Sequence, residues 1–224
     1  MSQLRSTIAI VALVLVAGAS GQEVLKPADP KEGWKLASKK DGITIYSRVR
    51  AGSPIKEFKA IGEIDAPSGI AYAVIADFEN YPRFMPYTAE CRLIKREGDA
   101  TIGYQRLSPK IAADRDYALR VRTKSWRSDN GMVYLDWWTA ANEHAPPEKP
   151  GVVRVKVCDG GWLLEPSGAN KTRATYSVYT DTGGMIPPFM ANHFSQIGIS
   201  RLFDAVRKQT RDPKYKTAGK IDNQ

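Results

Sequence analysis

The chain has 224 residues, of which 42% are apolar and 25% are charged. This composition is that of an ordinary globular protein and excludes disordered and fibrous classes, and the length suits one domain that encloses a core and a ligand. A formal charge of +9 favours an anionic partner such as a phospholipid surface, with a merely solvated basic surface as the alternative.

The start of the chain has the pattern of a secretory signal. Arg5 precedes an apolar run over residues 8–16, and Ala17-Gly18-Ala19 matches a cleavage site of small residues. The apolar run is short for a membrane span, which needs about 20 apolar residues. We therefore expect a signal peptide over residues 1–19 and export to the periplasm or the medium, with an uncleaved N-terminal membrane anchor as the alternative.

Most of the remaining chain alternates apolar and polar residues with a period of two. A flexible lead-in over residues 20–32 precedes a single domain over residues 33–210, and a basic polar tail follows over residues 211–224. One helix is predicted over residues 70–78, where apolar residues recur at helical spacing. Clean alternation elsewhere predicts an antiparallel sheet with one buried and one solvated face. The strands are predicted at residues 43–49, 55–64, 89–95, 102–107, 117–124, 133–138, 153–157 and 174–179.

The last predicted element is a long helix over residues 188–209, with apolar residues on two sides that change over at Gly198. A helix that is apolar on two sides must be covered on both or must line something apolar. A sheet wrapped around a single long helix leaves space between them, and a cavity with aromatic and aliphatic walls binds apolar ligands. The sequence therefore predicts the α+β class with an internal hydrophobic cavity.

Residues that commonly carry catalysis or bind metals are sparse. His144 lies in a polar, proline-rich loop and His193 in the last helix, where surface roles are expected. No zinc-type His or Cys spacing, phosphate-binding loop or nucleophile elbow occurs, so we expect no metal, no cofactor and no enzymatic activity. Cys91 and Cys158 fall on strand-like runs and are expected to be buried small side chains, with pairing after export as the alternative. Asp136 is expected to face solvent.

Several segments resemble the START (StAR-related lipid-transfer) family. Ala113-Asp114-Arg115-Asp116-Tyr117 is similar to the arginine–aspartate–aromatic motif that opens a central strand in this family. The resemblance implies a helix-grip fold, in which a curved antiparallel sheet grips a long C-terminal helix over a lipid-sized tunnel. It also implies binding of a sterol, a phospholipid, a ceramide or a related lipid, without chemistry and without a cofactor. We expect the ligand to be a phospholipid, a sterol-like molecule or an isoprenoid. Further similar segments follow in family order at residues 146–154, 160–166, 181–187 and 191–192, so that the resemblance covers residues 34–208.

The resemblance has one departure. Sterol-carrying members resemble each other in a buried acid–base pair, and the matching positions here hold Gln105 and Val121. This disfavours a sterol held by a cavity ion pair and leaves a neutral or differently anchored lipid. The lid implied by the resemblance consists of the loop over residues 142–151 and the C-terminal helix, with His144, Pro147 and Gly198 as candidate residues.

A second resemblance covers residues 74–86, which look like the helical segment of coenzyme Q-binding and polyketide cyclase-like relatives of the same broad fold. It widens the ligands to quinones and polyketides. It also leaves two alternatives open, a cyclase-type enzyme and a lipid-sensing binding module. A cyclase needs an acid or base inside the cavity, and the candidates are Asp116, Asp136, Glu165 and His193.

Aromatic residues on the strands and apolar residues of the last helix are the expected walls of the cavity, because Tyr and Trp combine apolar area with a polar group that suits an amphiphile. The expected partners are a lipid and, transiently, an anionic membrane surface, without nucleic acid and with the chain as a monomer. The expected lipid-contacting residues are Tyr104, Tyr117, Trp137, Trp162, Tyr176, Met185, Phe189, Phe194 and Ile197, and the expected polar cavity groups are Gln105, Arg115 and Asp116.

Overall fold

The computed structural model describes residues 19–110, 112–181, 183–184 and 186–216, with side chains from residue 21 onward. Residues 1–18 of the predicted signal peptide, Met185, and residues 217–224 of the predicted tail lie outside the described residues. In the described part of the chain, no helix is long and apolar enough to cross a membrane.

One curved sheet of ten strands dominates the described chain, in the spatial order β1-β2-β3-β10-β9-β7-β6-β5-β4. Neighbours along this order are antiparallel, and the short β8 pairs parallel with the start of β6. Long alternating segments joined by short turns favour this arrangement. The strands are β1 (Lys35–Lys40), β2 (Ile43–Val49), β3 (Lys56–Ile64), β4 (Thr88–Glu97), β5 (Ala100–Leu107), β6 (Asp114–Ser128), β7 (Gly131–Ala140), β8 (Val152–Arg154), β9 (Val157–Pro166) and β10 (Thr172–Asp181).

Four α-helices accompany the sheet within the described residues. They are α1 (Ala19–Leu25), α2 (Ser68–Ala76), α3 (Tyr81–Phe84) and α4 (Pro188–Gln209), and short 3₁₀ turns occur at Pro30–Glu32, Phe78–Asn80, Asn142–His144 and Pro213–Tyr215. The bounds of α4 agree with the predicted helix over residues 188–209.

The sheet grips α4 through a close backbone approach at Gly62 of β3. A Cβ atom at this position would lie 2.9 Å from the ring of Phe203, which is fully buried. Only glycine leaves room for that ring, so α4 can lie directly on the inner face of the sheet. Ile199 and Val206 of α4 join the same core. This arrangement confirms the α+β class and the helix-grip fold.

The outer face of the sheet is also partly covered, by α1. Val24 is 1% exposed and packs with Val133, Leu135 and Leu163 of β7 and β9. The buried Lys59 Nζ donates hydrogen bonds to the carbonyls of Glu23, at 2.8 Å, and Lys26, which satisfies acceptors at the C-terminal end of α1. The start of the predicted flexible lead-in is therefore a docked helix, because the strands beneath it are apolar on both faces.

The edge strand β1 is an element that alternation did not predict. Its sequence is rich in lysine and its residues are mostly exposed. Charged edge strands of this kind discourage pairing with other chains, and for that reason they carry little apolar signal.

Candidate functional site

A cavity of about 810 Å³ lies between the inner face of the sheet and α2, α4 and the segment that joins α3 to β4. The inner row of β6 forms one wall of it. Because side chains of a strand alternate between faces, every second residue of β6 points inward. That row consists of Arg115, Tyr117, Leu119, Val121 and Thr123.

The neighbouring part of the sheet forms an aromatic wall. Trp162 and Tyr176, from β9 and β10, have ring centroids 4.7 Å apart, and the ring of Trp138 lies 6.0 Å from that of Tyr176. Tyr117, Trp162 and Tyr176 were expected in the cavity, and the structure brings these three together. The indole N–H of Trp138 is buried without accessible surface, so this wall offers a ligand mainly apolar area.

A neutral hydrogen-bonded chain runs along the cavity wall across β6, β5 and β4. The Tyr117 hydroxyl donates to Gln105 Oε1 at 2.9 Å, and Gln105 Nε2 donates to Thr88 Oγ1 at 3.1 Å. Burial raises the pKa of Tyr117 well above its ordinary value, so the phenol stays protonated. The structure thus places an amide, rather than one half of an ion pair, at the Gln105 position.

Arg115 is a buried cation on the cavity wall, with 6% of its surface exposed. Within the described residues its guanidinium donates one hydrogen bond, to the carbonyl of Ala113, and no carboxylate lies within 4 Å. Desolvation lowers the pKa of Arg115, and the charge of Asp114 opposes this in part. The cavity therefore carries a positive group whose charge is not neutralised by the described protein.

Asp116, expected as a polar cavity group, lies on the other face of β6. Its carboxylate accepts hydrogen bonds from Arg154 Nε at 2.7 Å and Nη2 at 3.0 Å. It also accepts a hydrogen bond from the Tyr104 hydroxyl at 3.0 Å. The expectation is corrected because residues 115 and 116 alternate across the strand.

The position of Asp136 also differs from the sequence prediction, because this residue lies inside the cavity rather than outside it. It was expected to face solvent, yet it lines the cavity and is 7% exposed. Thr123 Oγ1 donates to its carboxylate at 2.6 Å, and desolvation raises its pKa from 3.8 to about 6, against the lowering effect of that hydrogen bond. The interpretation failed because both faces of β7 are buried, one by α1 and the other by the cavity.

Five of the expected lipid-contacting residues lie outside the cavity. Tyr104 is fully buried on the opposite face of β5, and Trp137 lies on the outer face of β7, where its ring is 3.1 Å from the Cβ position of Gly21 in α1. Phe189 is 74% exposed at the start of α4. The face of α4 that lines the cavity carries Ser195, Gly198, Ile199 and Leu202, and Phe194 and Ile197 are not on it.

The loop over residues 142–151 does not line the cavity. Asn142 fixes its start by accepting from the Ala118 N–H at 3.0 Å and donating to the Val155 carbonyl at 2.7 Å. His144 lies 3.3 Å from Arg120 on the outer face of β6, and Pro147 belongs to the same loop. The expected lid role of His144 and Pro147 is therefore corrected, whereas Gly198 does line the cavity.

On the side away from the sheet, the cavity is covered instead by α4 and by residues 85–88, which line it. Arg201 of α4 donates a hydrogen bond to the Tyr87 hydroxyl, and its guanidinium lies 5.3 Å from the centre of the Tyr87 ring. Tyr87 has a positive φ of 59°, which costs free energy for a residue with a side chain. This contact bridges the two covering segments.

The described residues offer little else for chemistry. They contain no group of three His, Cys, Asp or Glu side chains that could hold a metal ion. Of the four acid–base candidates, Asp136 alone lines the cavity. Cys158 also lines it, is not bonded to Cys91, and has a pKa raised to about 11 by burial, so its thiol is protonated at neutral pH.

Comparison with known proteins identifies the family. Residues 64–207 match the family described as polyketide cyclase / dehydrase and lipid transport. The chain is 31% identical over 164 residues to an uncharacterized protein of Pseudomonas aeruginosa, covering 73% of this chain and 79% of that one. It is 25% identical to the phosphatidylcholine transfer protein of Mus musculus, over 87% and 92% of the two chains. A STAR-related lipid transfer protein fragment from Xanthomonas axonopodis superposes with a TM-score of 0.70 at 26% identity, covering 80% of this chain and 99% of that one. The chain therefore belongs to the polyketide cyclase / dehydrase and lipid transport family, as a START-type member.

Proposed function

We propose that the protein binds a lipid-like molecule in the cavity and carries it without chemistry. The observation that carries this proposal is a cavity of about 810 Å³ walled by Tyr117, Trp138, Trp162 and Tyr176. Burial of each 100 Å² of apolar ligand surface contributes about 2.5 kcal/mol. The names of the phosphatidylcholine transfer protein and the STAR-related lipid transfer protein support the same class of ligand.

Native mass spectrometry of the protein purified from its own host tests the proposal, because a carrier retains lipid. A matched pair of variants sharpens the test. Val121→Trp places an indole in the cavity, whereas Lys124→Trp places the same group on the exposed outer face of β6. We expect co-purified lipid with the wild type and with Lys124→Trp, and little with Val121→Trp. Empty wild-type protein that also binds no lipid in vitro contradicts the proposal.

We further propose that the ligand exchanges at an anionic membrane. Phe189 and Met190 are exposed apolar residues at the start of α4, the helix that also covers the cavity, and the formal charge of +9 favours an anionic surface. Phe189→Asp should weaken binding to vesicles that contain phosphatidylglycerol, measured by co-sedimentation, and leave the melting temperature unchanged. Unchanged vesicle binding counts against this route.

The proposed site of action is outside the cytoplasm, with the protein as a monomer. Residues 1–19 have the secretory pattern, and cleavage after Ala19 would retain Val24 and the docked end of α1. Cell fractionation, N-terminal sequencing of the mature protein and sedimentation analysis test these points. A cytoplasmic protein that keeps residues 1–19 contradicts the export proposal.

A cyclase-type enzyme is the second candidate, and Asp136 is the observation that favours it. A cavity carboxyl group with a pKa of about 6 can accept and donate a proton near neutral pH. Ligands extracted from the wild type and from Asp136→Asn, expressed in the same host, distinguish the two candidates. Identical ligand masses support the carrier, whereas accumulation of a precursor in the variant supports the enzyme.

A further inference from the structure

Arg115 differs from the other arginines that the fold buries. Within the described residues, each of the other partly buried arginines has a carboxylate oxygen within 4 Å, and Arg115 has none. A buried cation without a counter-ion is unfavourable, so folding alone does not account for this residue. The paired arginines are Arg48, Arg106, Arg120, Arg122, Arg154 and Arg207.

The two nearest acids in the sequence are directed away from Arg115. Asp114 pairs with Arg106, and Asp116 is held by two hydrogen bonds from Arg154. Both point to the opposite side of β6 because side chains alternate along a strand. The acid–base–acid sequence therefore places two ion-paired carboxylates on the outer face of β6 and, on the inner face, a cation without a carboxylate partner among the described residues.

Most N–H groups of the Arg115 guanidinium have no acceptor among the described residues. Of its five N–H groups, one donates to the Ala113 carbonyl among the described residues. Nη2 lies 3.8 Å from the Cβ position of Gly184, in the loop that precedes α4. The planar fork of an arginine matches the oxygens of phosphate and carboxylate groups. A ligand head group beside this loop would supply the missing acceptors and the missing charge.

The other end of the cavity repels an anion. Asp136 pairs with Thr123 across β6 and β7, and Thr123 lies eight residues beyond Arg115 on the inner row, about 26 Å along the strand. Asp136 and Arg115 are the buried charges on the cavity wall within the described residues. The other charged lining residues are Lys56, Glu79, Arg96 and Asp99, which are exposed, and Asp77, which pairs with Lys214.

We propose that Arg115 binds the anionic head group of the ligand, a phosphate or a carboxylate, with the apolar tail directed along Leu119 and Val121 toward the far end of the cavity. This inference rests on the proposed lipid-binding function. It narrows the ligand to anionic amphiphiles and sets its orientation, with the head at the loop before α4.

Three amphiphiles that share one oleoyl chain test the inference: oleic acid, oleoyl lysophosphatidic acid and the neutral monoolein. Binding to delipidated protein is followed below the micelle concentration by the fluorescence of the wall tryptophans, with inorganic phosphate as a fourth ligand. The variants are Arg115→Gln, Arg115→Lys and the control Lys124→Gln, which removes one charge from the outer face of the same strand.

We expect the wild type and Lys124→Gln to bind at least one anionic amphiphile about 10-fold or more tightly than monoolein. Arg115→Gln should lose about 10- to 100-fold for that ligand, the loss typical of a charge-assisted hydrogen-bonded pair, with monoolein unchanged. Arg115→Lys keeps the positive charge but lacks the planar guanidinium, so its affinity for the anionic ligand should lie between those of the wild type and Arg115→Gln.

If Arg115→Gln loses affinity equally for monoolein and for the anionic ligands, the inference is overturned, since this result indicates a structural role for Arg115. Equal wild-type affinity for all three amphiphiles also overturns it, while the lipid-binding function stands. Inorganic phosphate bound as tightly as lysophosphatidic acid overturns the assignment to a lipid. If none of the three amphiphiles binds the wild type, the proposed function itself fails.

Discussion

Asp136→Asn removes a buried ionisable group without changing the shape of the side chain, and the structure predicts the consequence for stability. The carboxyl group lies on the cavity wall and accepts one hydrogen bond, from Thr123. An asparagine Oδ1 accepts the same bond. Because each pKa unit corresponds to about 1.4 kcal/mol, the rise from 3.8 to about 6 makes ionised Asp136 cost about 3 kcal/mol of folding free energy.

The sign of the effect follows from the direction of the pKa. Below pH 3.8 the group is protonated in both the folded and the unfolded chain, so it costs nothing. Between pH 3.8 and about 6 the unfolded chain has released this proton while the folded state still holds it, so stability falls across this window and levels off above pH 6. Asp136→Asn should therefore be more stable than the wild type by about 3 kcal/mol at pH 8, with the difference falling below about 1 kcal/mol near pH 4.

Urea denaturation of delipidated protein between pH 4 and 8 measures this difference, with exposed Asp129→Asn as a control. A gain of about 3 kcal/mol corresponds to a rise of about 6–12 °C in melting temperature for a chain of this size. A difference that stays constant across the pH range, or a variant that is less stable at pH 8, refutes the assignment of Asp136 as a desolvated acid.

Three further predictions concern packing, the docked helix and the cavity cover. Gly62→Ala should lower the free energy of unfolding by about 1–3 kcal/mol, measured by denaturation, because its methyl group would meet Phe203 at 2.9 Å; an unchanged stability contradicts that close approach. Lys59→Met should speed hydrogen exchange in α1 and leave α4 unaffected, since two carbonyls at the end of α1 lose their donor; uniform exchange rates contradict the docking. Arg201→Gln should accelerate lipid transfer between vesicles several-fold by removing the contact with Tyr87, and equal rates for variant and wild type count against that contact as part of the cover.

Much of the fold was accessible from the sequence because its signals are local. The alternation of β2 and the helical pattern of α4 gave bounds that agree with the structure. The strand predicted over residues 153–157 is divided in the structure between the short β8 and the first residue of β9, since three residues of parallel pairing depend on the position of β6. The docking of α1 was not predicted, because it depends on apolar residues of β7 and β9 far along the chain.

The site was harder to predict because alternation separates two faces without saying which one lines a cavity. Alternation places Trp137 on the buried face of β7 and Asp136 on its solvated face only if the outer face of the sheet is solvated, and α1 covers that face. A usable signal did exist at the tight turn between β6 and β7. Ser128 pairs with Gly131 across two turn residues, and a hairpin turn of this length sets the register of both strands.

Counting back from that turn places Thr123 opposite Asp136 and Val121 opposite Trp138, and directly opposite residues share a face. Because Tyr117 and Thr123 lie on one face of β6 by alternation, the register alone places Asp136 beside the cavity.

The two buried charges on the cavity wall, Arg115 and Asp136, together account for how a ligand with one anionic end would be oriented. A fold selected for stability alone would neutralise them, as it does for Arg48, Arg106 and Arg154 on its other surfaces. Arg115 and Asp136 instead face the cavity without an opposite charge from the described protein. A ligand with one anionic end relieves the cost at Arg115 and leaves the cost at Asp136, so it is held in one orientation and the cavity distinguishes its two ends.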